Sequence, residues 1–411
     1  MKTVAIVTTC DTKGREAQYL KKSIEKHGIY GWVIDCGILN DPIGVIPDTS
    51  RHKVAQAAGY TIDELIARGS RGAAVNGMIE GINSIITSMS NEGKVDALIA
   101  MGGAEGALIA KSAMDALPLF VPKLTMSTIA SGEHKFGEII GHNDAMVMHT
   151  VIDILGINSI SKKIFDNGIN AIVGMLEFQI NNEISNCKRV AMTMLGTITP
   201  PIVKVVQPLF EKERYEVYTF HANGIGGECM DKLAEEKYFD GVFDWALNEI
   251  VGLNFGGLHK CGKQRMEAAI KKGIPLVVVP GAADIIVLST EDASDQKYSK
   301  RAKYYHNKEI TLAALSVEEC IKVAETIVDK LNEATGQVEV LFPLKGLCSQ
   351  DKEGKSLYNP KGTKAMVKIF KEKLKKDIGF VVCDNHINDD EFAMKAANKM
   401  IKLIKESEVI L

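Results

Sequence analysis

The 411-residue sequence contains no long basic run and no apolar run of membrane-spanning length. A spanning helix needs about 18 consecutive apolar residues, and surfaces that grip nucleic acid or anionic membranes usually carry clustered lysine and arginine. Here 49 basic and 52 acidic residues nearly balance, which leaves a net charge of −3. We therefore expect a protein that binds neither nucleic acid nor a membrane.

Paired cysteine spacings are also missing. The eight cysteines are scattered without a C-x-x-C motif, and a chain of this length can bury a core without disulfides. The apolar run within the first ten residues is too short, and is interrupted by polar residues too soon, to resemble a secretion signal. Reduced thiols and a cytoplasmic location are the expectation.

Short β-branched runs alternate with longer amphipathic runs along the whole sequence. Thr3–Thr9 and Gly31–Cys36 have the composition of buried strands, and Lys13–Gly28 between them has helical periodicity. This alternation is typical of parallel sheets with crossover helices. We predict an α/β protein of two Rossmann-like domains, each with a mainly parallel sheet and helices on both faces. The polar segment Asn181–Arg189 marks the junction, which gives domains of residues 1–185 and 186–411.

The two halves share a plan of strand, threonine-rich turn, helix and strand. Further strands are predicted at Val95–Met101 and Val121–Ser127, with a helix at Ala104–Ala116 between them. Residues 145–153 fit a strand or a helix equally well, and Ile198–Glu213 is predicted to be helical. A common βαβ pattern explains the likeness of the halves without a duplication.

Three loops of the first half are rich in glycine and hydroxyl groups, and each follows a predicted strand. Ligands of open α/β sheets bind beyond the carboxyl ends of the strands. Amides at a helix N-terminus can hold an anion there, a lysine can add charge, and an acidic residue can reach an accompanying metal ion. The candidate residues are Thr9, Asp11, Thr12, Lys13 and Gly14 in the first loop, Gly102, Gly103, Glu105 and Gly106 in the second, and Ser127, Thr128, Ser131 and Gly132 in the third.

A structural interpretation of these glycines stands beside the functional one. The G-G-x-x-G pattern is neither the dinucleotide fingerprint nor the P-loop. A glycine turn between strand and helix often serves only close packing. The sequence leaves both interpretations open.

The second half offers candidates for a substrate site, since it too has polar and glycine-rich strand ends. His259, Cys261 and His306 could join two of these candidates in a metal site on paper, but their spacing matches no standard zinc pattern, and we expect no bound metal. A cysteine–histidine nucleophile pair using Cys261 or Cys348 lacks a recognisable elbow. The substrate candidates are Thr197, Thr199, His221, Asn223, Gly226, Gly227 and Asp284.

Eight linked motifs follow one another between Thr3 and about Phe392, namely "TTCDTKG", "AMGGAEGALI", "VPKLTMSTIASG", "MLGTITP", "FHANGIGG", "PGAAD", "YYHN" and "DNHIND". In content and order this series resembles the tomato mosaic virus resistance (Tm-one-like) ATP-binding family. The resemblance implies two α/β domains with ATP bound by the first, through the three loops named above. One departure is visible, because Glu133 and His134 stand where the family usually has an acidic and a small apolar residue. In plants the family's domains are fused to a barrel domain resembling phosphoenolpyruvate-utilising enzymes, so a separate barrel-domain protein is a candidate partner here.

Three functions remain in view from the sequence. The leading hypothesis is ATP, with Mg²⁺, bound at the first sheet for phosphoryl or nucleotidyl transfer to a small acid or sugar-derived substrate held by the second domain. A second hypothesis makes the chain an ATP-regulated binding module for a partner enzyme. A third is metal-assisted hydrolase or lyase chemistry in the second domain with His221, His259 and Asp284. A homo-oligomer is expected on general grounds.

Overall fold

The computed structural model describes residues 1–131, 140–178 and 187–410. The chain divides into two compact units, Met1–Glu183 and Ile184–Leu411. The predicted boundary between residues 185 and 186 lies outside the described ranges, as do Gly132, Glu133 and His134.

The N-terminal unit contains a five-stranded sheet in which every pair of neighbours is parallel. The strands stand in the order β2-β1-β3-β4-β5. The order reverses between β1 and β3, and such a switch point is where ligands of this architecture bind. The ambiguous segment 145–153 supplies the edge strand. The strands are β1 (Thr3–Thr8), β2 (Tyr30–Asp35), β3 (Ala97–Gly102), β4 (Lys123–Ser127) and β5 (Met146–His149).

Helices cover both faces of this sheet because the strand side chains alternate. Val4 and Ile6 pack on one side with apolar residues of α1 and α6, and Ala5 and Val7 pack on the other side with residues of α4 and α5. This confirms the predicted Rossmann-like arrangement. The helices are α1 (Cys10–Glu25), α2 (Arg51–Ala57), α3 (Ile62–Ala67), α4 (Arg71–Asn91), α5 (Ala104–Asp115) and α6 (Ser159–Glu177).

The C-terminal unit contains a six-stranded parallel sheet and a separate three-stranded antiparallel sheet. The parallel sheet has the order β14-β13-β9-β8-β6-β7. Its first three strands in chain order stand as β7-β6-β8, which is the arrangement of β2-β1-β3 in the N-terminal unit. The strands are β6 (Lys188–Met194), β7 (Tyr215–His221), β8 (Gly241–Ala246), β9 (Leu276–Gly281), β10 (Ile285–Ser289), β11 (Lys303–Tyr305), β12 (Ile310–Ala314), β13 (Val338–Pro343) and β14 (Gly379–Cys383). The helices are α7 (Gln207–Lys212), α8 (Gly226–Glu235), α9 (Asn248–Phe255), α10 (Glu267–Lys272), α11 (Val317–Leu331), α12 (Pro360–Lys373) and α13 (Asp390–Ile410).

The antiparallel sheet, in the order β10-β12-β11, was not predicted. Its strands are three to five residues long, which is too short for a clear alternation. β10 also follows β9 after only a brief turn, so the two look like one apolar region in the sequence.

The predicted helix Ile198–Glu213 is regular only over α7. Before it lie a short turn, Gly196–Ile198, and a wide turn, Ile202–Val206, in which the Gln207 amide donates to the Ile202 carbonyl. Prolines at 200, 201 and 208 remove the amides that a continuous helix would use. Of the helices that the structure describes, none is long and apolar enough to cross a membrane.

Candidate functional site

A cavity of about 430 Å³ lies at the carboxyl ends of β1 and β3, at the switch point of the first sheet. Its volume falls within the range of small-molecule sites. The first and second predicted loops meet here, although they are about 90 residues apart in sequence. The predicted residues that line it are Thr9, Asp11, Thr12, Lys13, Gly102, Gly103, Glu105 and Gly106.

The first loop presents hydroxyls, a carboxylate and a cation to the cavity. The hydroxyls of Thr9 and Thr12 lie 3.0 Å apart. Asp11 is buried, and its Oδ2 accepts a hydrogen bond of 3.0 Å from the Leu39 amide. Lys13 departs from helical geometry, with φ −126° and ψ 21°. Within the described chain its ammonium forms no hydrogen bond or ion pair, although the carboxylates of Asp11 and Glu105 line the same cavity.

Two of the predicted glycines serve packing. A Cβ on Gly14 would lie 2.2 Å from the Ile43 carbonyl oxygen, and Gly14 does not line the cavity. A Cβ on Gly102 would lie 2.7 Å from Cα of Gly106, where β3 passes the first turn of α5. The packing interpretation is therefore the correct one for the contact between Gly102 and Gly106.

Gly103 differs from these neighbours. It is the N-cap residue of α5, and it has no side chain with which to cap that helix. A Cβ placed on it would meet only Thr128 Oγ1, at 3.7 Å. A helix N-terminus without a capping side chain, facing a cavity, carries positive partial charge and suits an anion.

The third loop touches this region without lining the cavity. Ser127 is buried at the end of β4, opposite Gly102 in the sheet, and its hydroxyl accepts from the Ile129 amide at 3.3 Å. Ser131 Oγ lies 3.2 Å from His149 Nε2. Thr128 Oγ1 would lie 3.7 Å from a Cβ on Gly103, and Gly132 lies outside the described residues.

The sequence interpretation missed the apolar wall of the cavity. Three of the missed residues follow β2, whose carboxyl end lies beside that of β1, so the strand-end rule could have found them. Helices α4 and α5 supply the others, whose place in the wall depends on how these helices pack and not on a local pattern. Burial and Asp35 raise the pKa of the Cys36 thiol, so this cysteine is protonated at neutral pH and is not a nucleophile. The missed residues are Cys36, Ile38, Leu39, Val75, Ala104, Leu108 and Ile109.

In the C-terminal unit the glycine turn after β7 is occupied by the protein itself. Glu249 Oε1 accepts hydrogen bonds from the amides of Gly224 and Gly227, at 2.8 and 3.0 Å. A Cβ on Gly227 would overlap Glu249 Oε2. The Gly226 amide faces Asn223 Oδ1 at 3.4 Å. The carboxylate of Glu249 therefore fills the anion cradle that the sequence predicted for a substrate.

Glu249 belongs to a buried charge network around Arg265. Arg265 Nε donates to Glu249 Oε2 at 2.6 Å, and its two terminal nitrogens donate to the two oxygens of Asp244 at 2.8 Å each. All three side chains are at most 1% exposed. Asp231 lies 3.8 Å from the guanidinium. One cation thus faces three carboxyl groups, of which only that of Asp231 retains some exposure, at 11%.

We expect this network to make stability depend on pH through Asp231. Burial raises the pKa of Asp231 from 3.8 to about 7. Between these values the folded protein holds a proton that the unfolded chain has released. This contribution to stability is therefore present in full below pH 4 and is lost as pH rises through 7. Between pH 5 and 8 the free energy of unfolding, measured by urea titration, should fall by about 2 to 4 kcal/mol more in the parent than in Asp231→Asn.

The matched control for this measurement is Asp329→Asn, on the exposed side of α11. It should retain the parent's pH dependence. Equal slopes for the parent and Asp231→Asn would contradict the assignment.

The remaining candidates of this unit do not form one site. Thr197, His221, His259 and His306 line a smaller cavity, but Asp284 does not. Asp284 is fully buried, and burial together with Asp351 raises its pKa well above the usual range.

The geometry also disfavours Thr199 as a substrate contact, a cysteine nucleophile and a metal site. The Thr199 hydroxyl donates to the Leu195 carbonyl within its own turn. Burial also raises the pKa of the Cys261 and Cys348 thiols, which disfavours either as a nucleophile. In the described ranges no three His, Cys, Asp or Glu side chains are placed to hold a metal ion.

Comparison with known proteins gives a family. Profiles of the uncharacterised protein family (UPF0261) match residues 2–181 with its N-terminal domain and residues 187–404 with its C-terminal domain. A UPF0261 protein of Clostridium tetani is 35% identical over 406 residues, which is 98% of this chain and 100% of that protein. A UPF0261 protein of Brucella suis is 30% identical over 99% of this chain and 97% of that protein. The ToMV resistance protein Tm-1 of Solanum lycopersicum is 32% identical over 82% of this chain, but that match spans only 45% of the tomato protein.

Proposed function

We propose an ATP-binding function for this chain, which belongs to the uncharacterised protein family UPF0261. The observation that carries the proposal is the meeting of Lys13 and Gly103 at one cavity, at the switch point of the first sheet. The resemblance to the ATP-binding family adds to it, because the motifs that carry the resemblance supply both residues.

The cavity has one polar and one apolar side, as a nucleotide requires. The phosphates would lie against the N-terminus of α5 and the Lys13 ammonium, which both attract negative charge. The base would lie against apolar residues that include Ile38, Leu39 and Leu108. Backbone amides and a lysine are a common combination for phosphate recognition.

Asp11 is the residue that we propose for contact with the Mg²⁺ of a bound nucleotide. The Leu39 amide fixes one of its oxygens, and the other forms no hydrogen bond within the described chain. Carboxylate oxygen is a preferred ligand of Mg²⁺, which usually reaches a protein through one or two carboxylates and the substrate phosphates.

Phosphoryl or nucleotidyl transfer is the reaction class that we propose for this cavity. Such transfer depends on positioning and charge more than on a covalent protein nucleophile. The protonated state of Cys36 is compatible with that requirement, since no thiolate is needed. Release of ADP or AMP in the presence of small acids would separate transfer from purely regulatory binding of ATP.

Calorimetric titration with Mg²⁺–ATP and with adenosine tests the proposal. Replacing Lys13 by alanine removes a charge-assisted contact to phosphate, so ATP affinity should fall roughly 10- to 100-fold. Adenosine affinity should not change, because adenosine carries no phosphate.

The control is Lys26→Ala, an exposed lysine just beyond the other end of α1. It removes the same charge far from the cavity and should bind ATP as the parent does. Loss of affinity in both variants, or in neither, would defeat the placement of the phosphates.

A further inference from the structure

The smaller cavity of the C-terminal unit has a volume of about 160 Å³. Its polar end follows β6 and β7, and β10 and β12 of the antiparallel sheet form its apolar wall. The histidines are the only ionisable side chains among the described residues that line it. The lining residues are Leu195, Gly196, Thr197, His221, His259, Ile285, Val287, His306, Ile310 and Leu312.

The ring of His259 is held in one tautomer by Asn248. The amide nitrogen of Asn248 donates to the carbonyls of Ala282 and Ile285, at 2.7 Å each. These two bonds use both of its N–H groups and fix the orientation of the amide. Asn248 Oδ1 must then be the acceptor of the 2.8 Å bond to His259 Nδ1. The proton of the neutral ring therefore resides on Nδ1, and Nε2 carries a lone pair.

No described residue donates to that lone pair. His259 Nδ1 is bonded to Asn248, whereas Nε2 has no hydrogen-bond partner within the described chain. Burial and the neighbouring His221 lower the pKa of His259 to about 4. The ring is therefore neutral at physiological pH and can accept a hydrogen bond.

The rest of the cavity restricts what can donate to it. Since one water occupies about 30 Å³ in the liquid, a volume of about 160 Å³ suits a molecule of few heavy atoms. His221 and His306 are exposed at the mouth, where their rings can donate N–H groups to an acceptor or an anion. The walls between are aliphatic and offer no charged partner.

We propose that this cavity binds a small hydroxy acid, whose hydroxyl donates to His259 Nε2 and whose carboxylate faces His221 and His306. The site lies wholly within the C-terminal unit and does not depend on ATP binding by the N-terminal unit. Metal binding is the rival use of three histidines, but no metal-holding group exists among the described residues.

Lactate and propionate are the probes that test the hydroxyl contact, because they differ mainly in that group. Calorimetric titration of the full chain should show lactate binding about 3- to 10-fold more tightly than propionate, the gain of one hydrogen bond. In His259→Phe this preference should disappear, because phenylalanine also has an aromatic ring but no nitrogen that could accept the hydrogen bond. The matched control is His27→Phe, at an exposed histidine of the N-terminal unit, which should keep the preference.

Nitrogen-15 NMR of the histidine rings provides a test that does not depend on a variant folding. In the parent protein, His259 Nε2 should give the signal of an unprotonated nitrogen, and lactate should shift it more than propionate does. Equal affinity for the two acids, no binding of either at millimolar concentration, or a protonated Nε2 would each overturn the proposal.

Discussion

Valine at position 103 is expected to weaken ATP binding by roughly 10- to 100-fold, the loss of one or two contacts to a charged group, with little loss of thermal stability. The present glycine leaves the start of α5 open to the cavity, and a branched side chain would cover those amides. The fold should tolerate the change because a Cβ at this position meets only Thr128 Oγ1, at 3.7 Å. Calorimetry with Mg²⁺–ATP and a thermal melt of the same sample measure the two effects.

Valine at position 102 is the contrasting control. There a Cβ would lie 2.7 Å from the Gly106 backbone, and overpacking of this kind costs typically 1–3 kcal/mol. Gly102→Val should therefore melt at a lower temperature than Gly103→Val. A Gly103→Val protein that binds ATP like the parent would place the nucleotide elsewhere.

Replacing Arg265 by methionine is expected to lower the free energy of unfolding by about 3–5 kcal/mol, the usual effect of removing one partner of a buried ion pair. Methionine fills a similar volume but leaves the carboxylates of Asp244 and Glu249 buried without their cation. The urea midpoint, followed by tryptophan fluorescence, reports the change, because Trp245 lies in β8 next to Asp244.

Arg301→Met is the matched control for this variant. Arg301 pairs with Glu319 through two bonds of 2.6 Å, but both side chains are more than 20% exposed. Water can replace the lost partner there, so the cost should be about 1 kcal/mol or less. Equal midpoints for the Arg265 and Arg301 variants would mean that the buried network contributes no more than a surface pair.

Much of the fold could be predicted because local patterns determine it. Buried strands such as β1 and β3 are runs of apolar residues, and the helices after them show clear periodicity. Capping signals added detail that the sequence interpretation did not use. Residues 51–67 form two helices and not one, because Gly59 takes a left-handed conformation at φ 82° and Thr61 begins α3 with a capping box.

The sites were harder to predict because they depend on contacts between distant segments. The convergence of Lys13 and Gly103 followed from the rule of strand ends, and both do line one cavity. The position of Val75 in the same wall depends on how α4 packs, which no local pattern gives. The role of Glu249 was equally hidden, since only the folded structure brings its carboxylate to the amides of Gly224 and Gly227.

Glu105 and Glu249 stand at matching places in the two sheets, each three positions beyond the end of the third strand and each in the first turn of the next helix. In the C-terminal unit this acid, Glu249, is buried against the guanidinium of Arg265. In the N-terminal unit the acid, Glu105, lines the larger cavity. The position of an acidic residue at this point of the fold therefore does not by itself indicate whether it lines a ligand cavity or forms a buried ion pair. The buried guanidinium of Arg265 is what makes the acid of the C-terminal unit part of a closed ion-pair network.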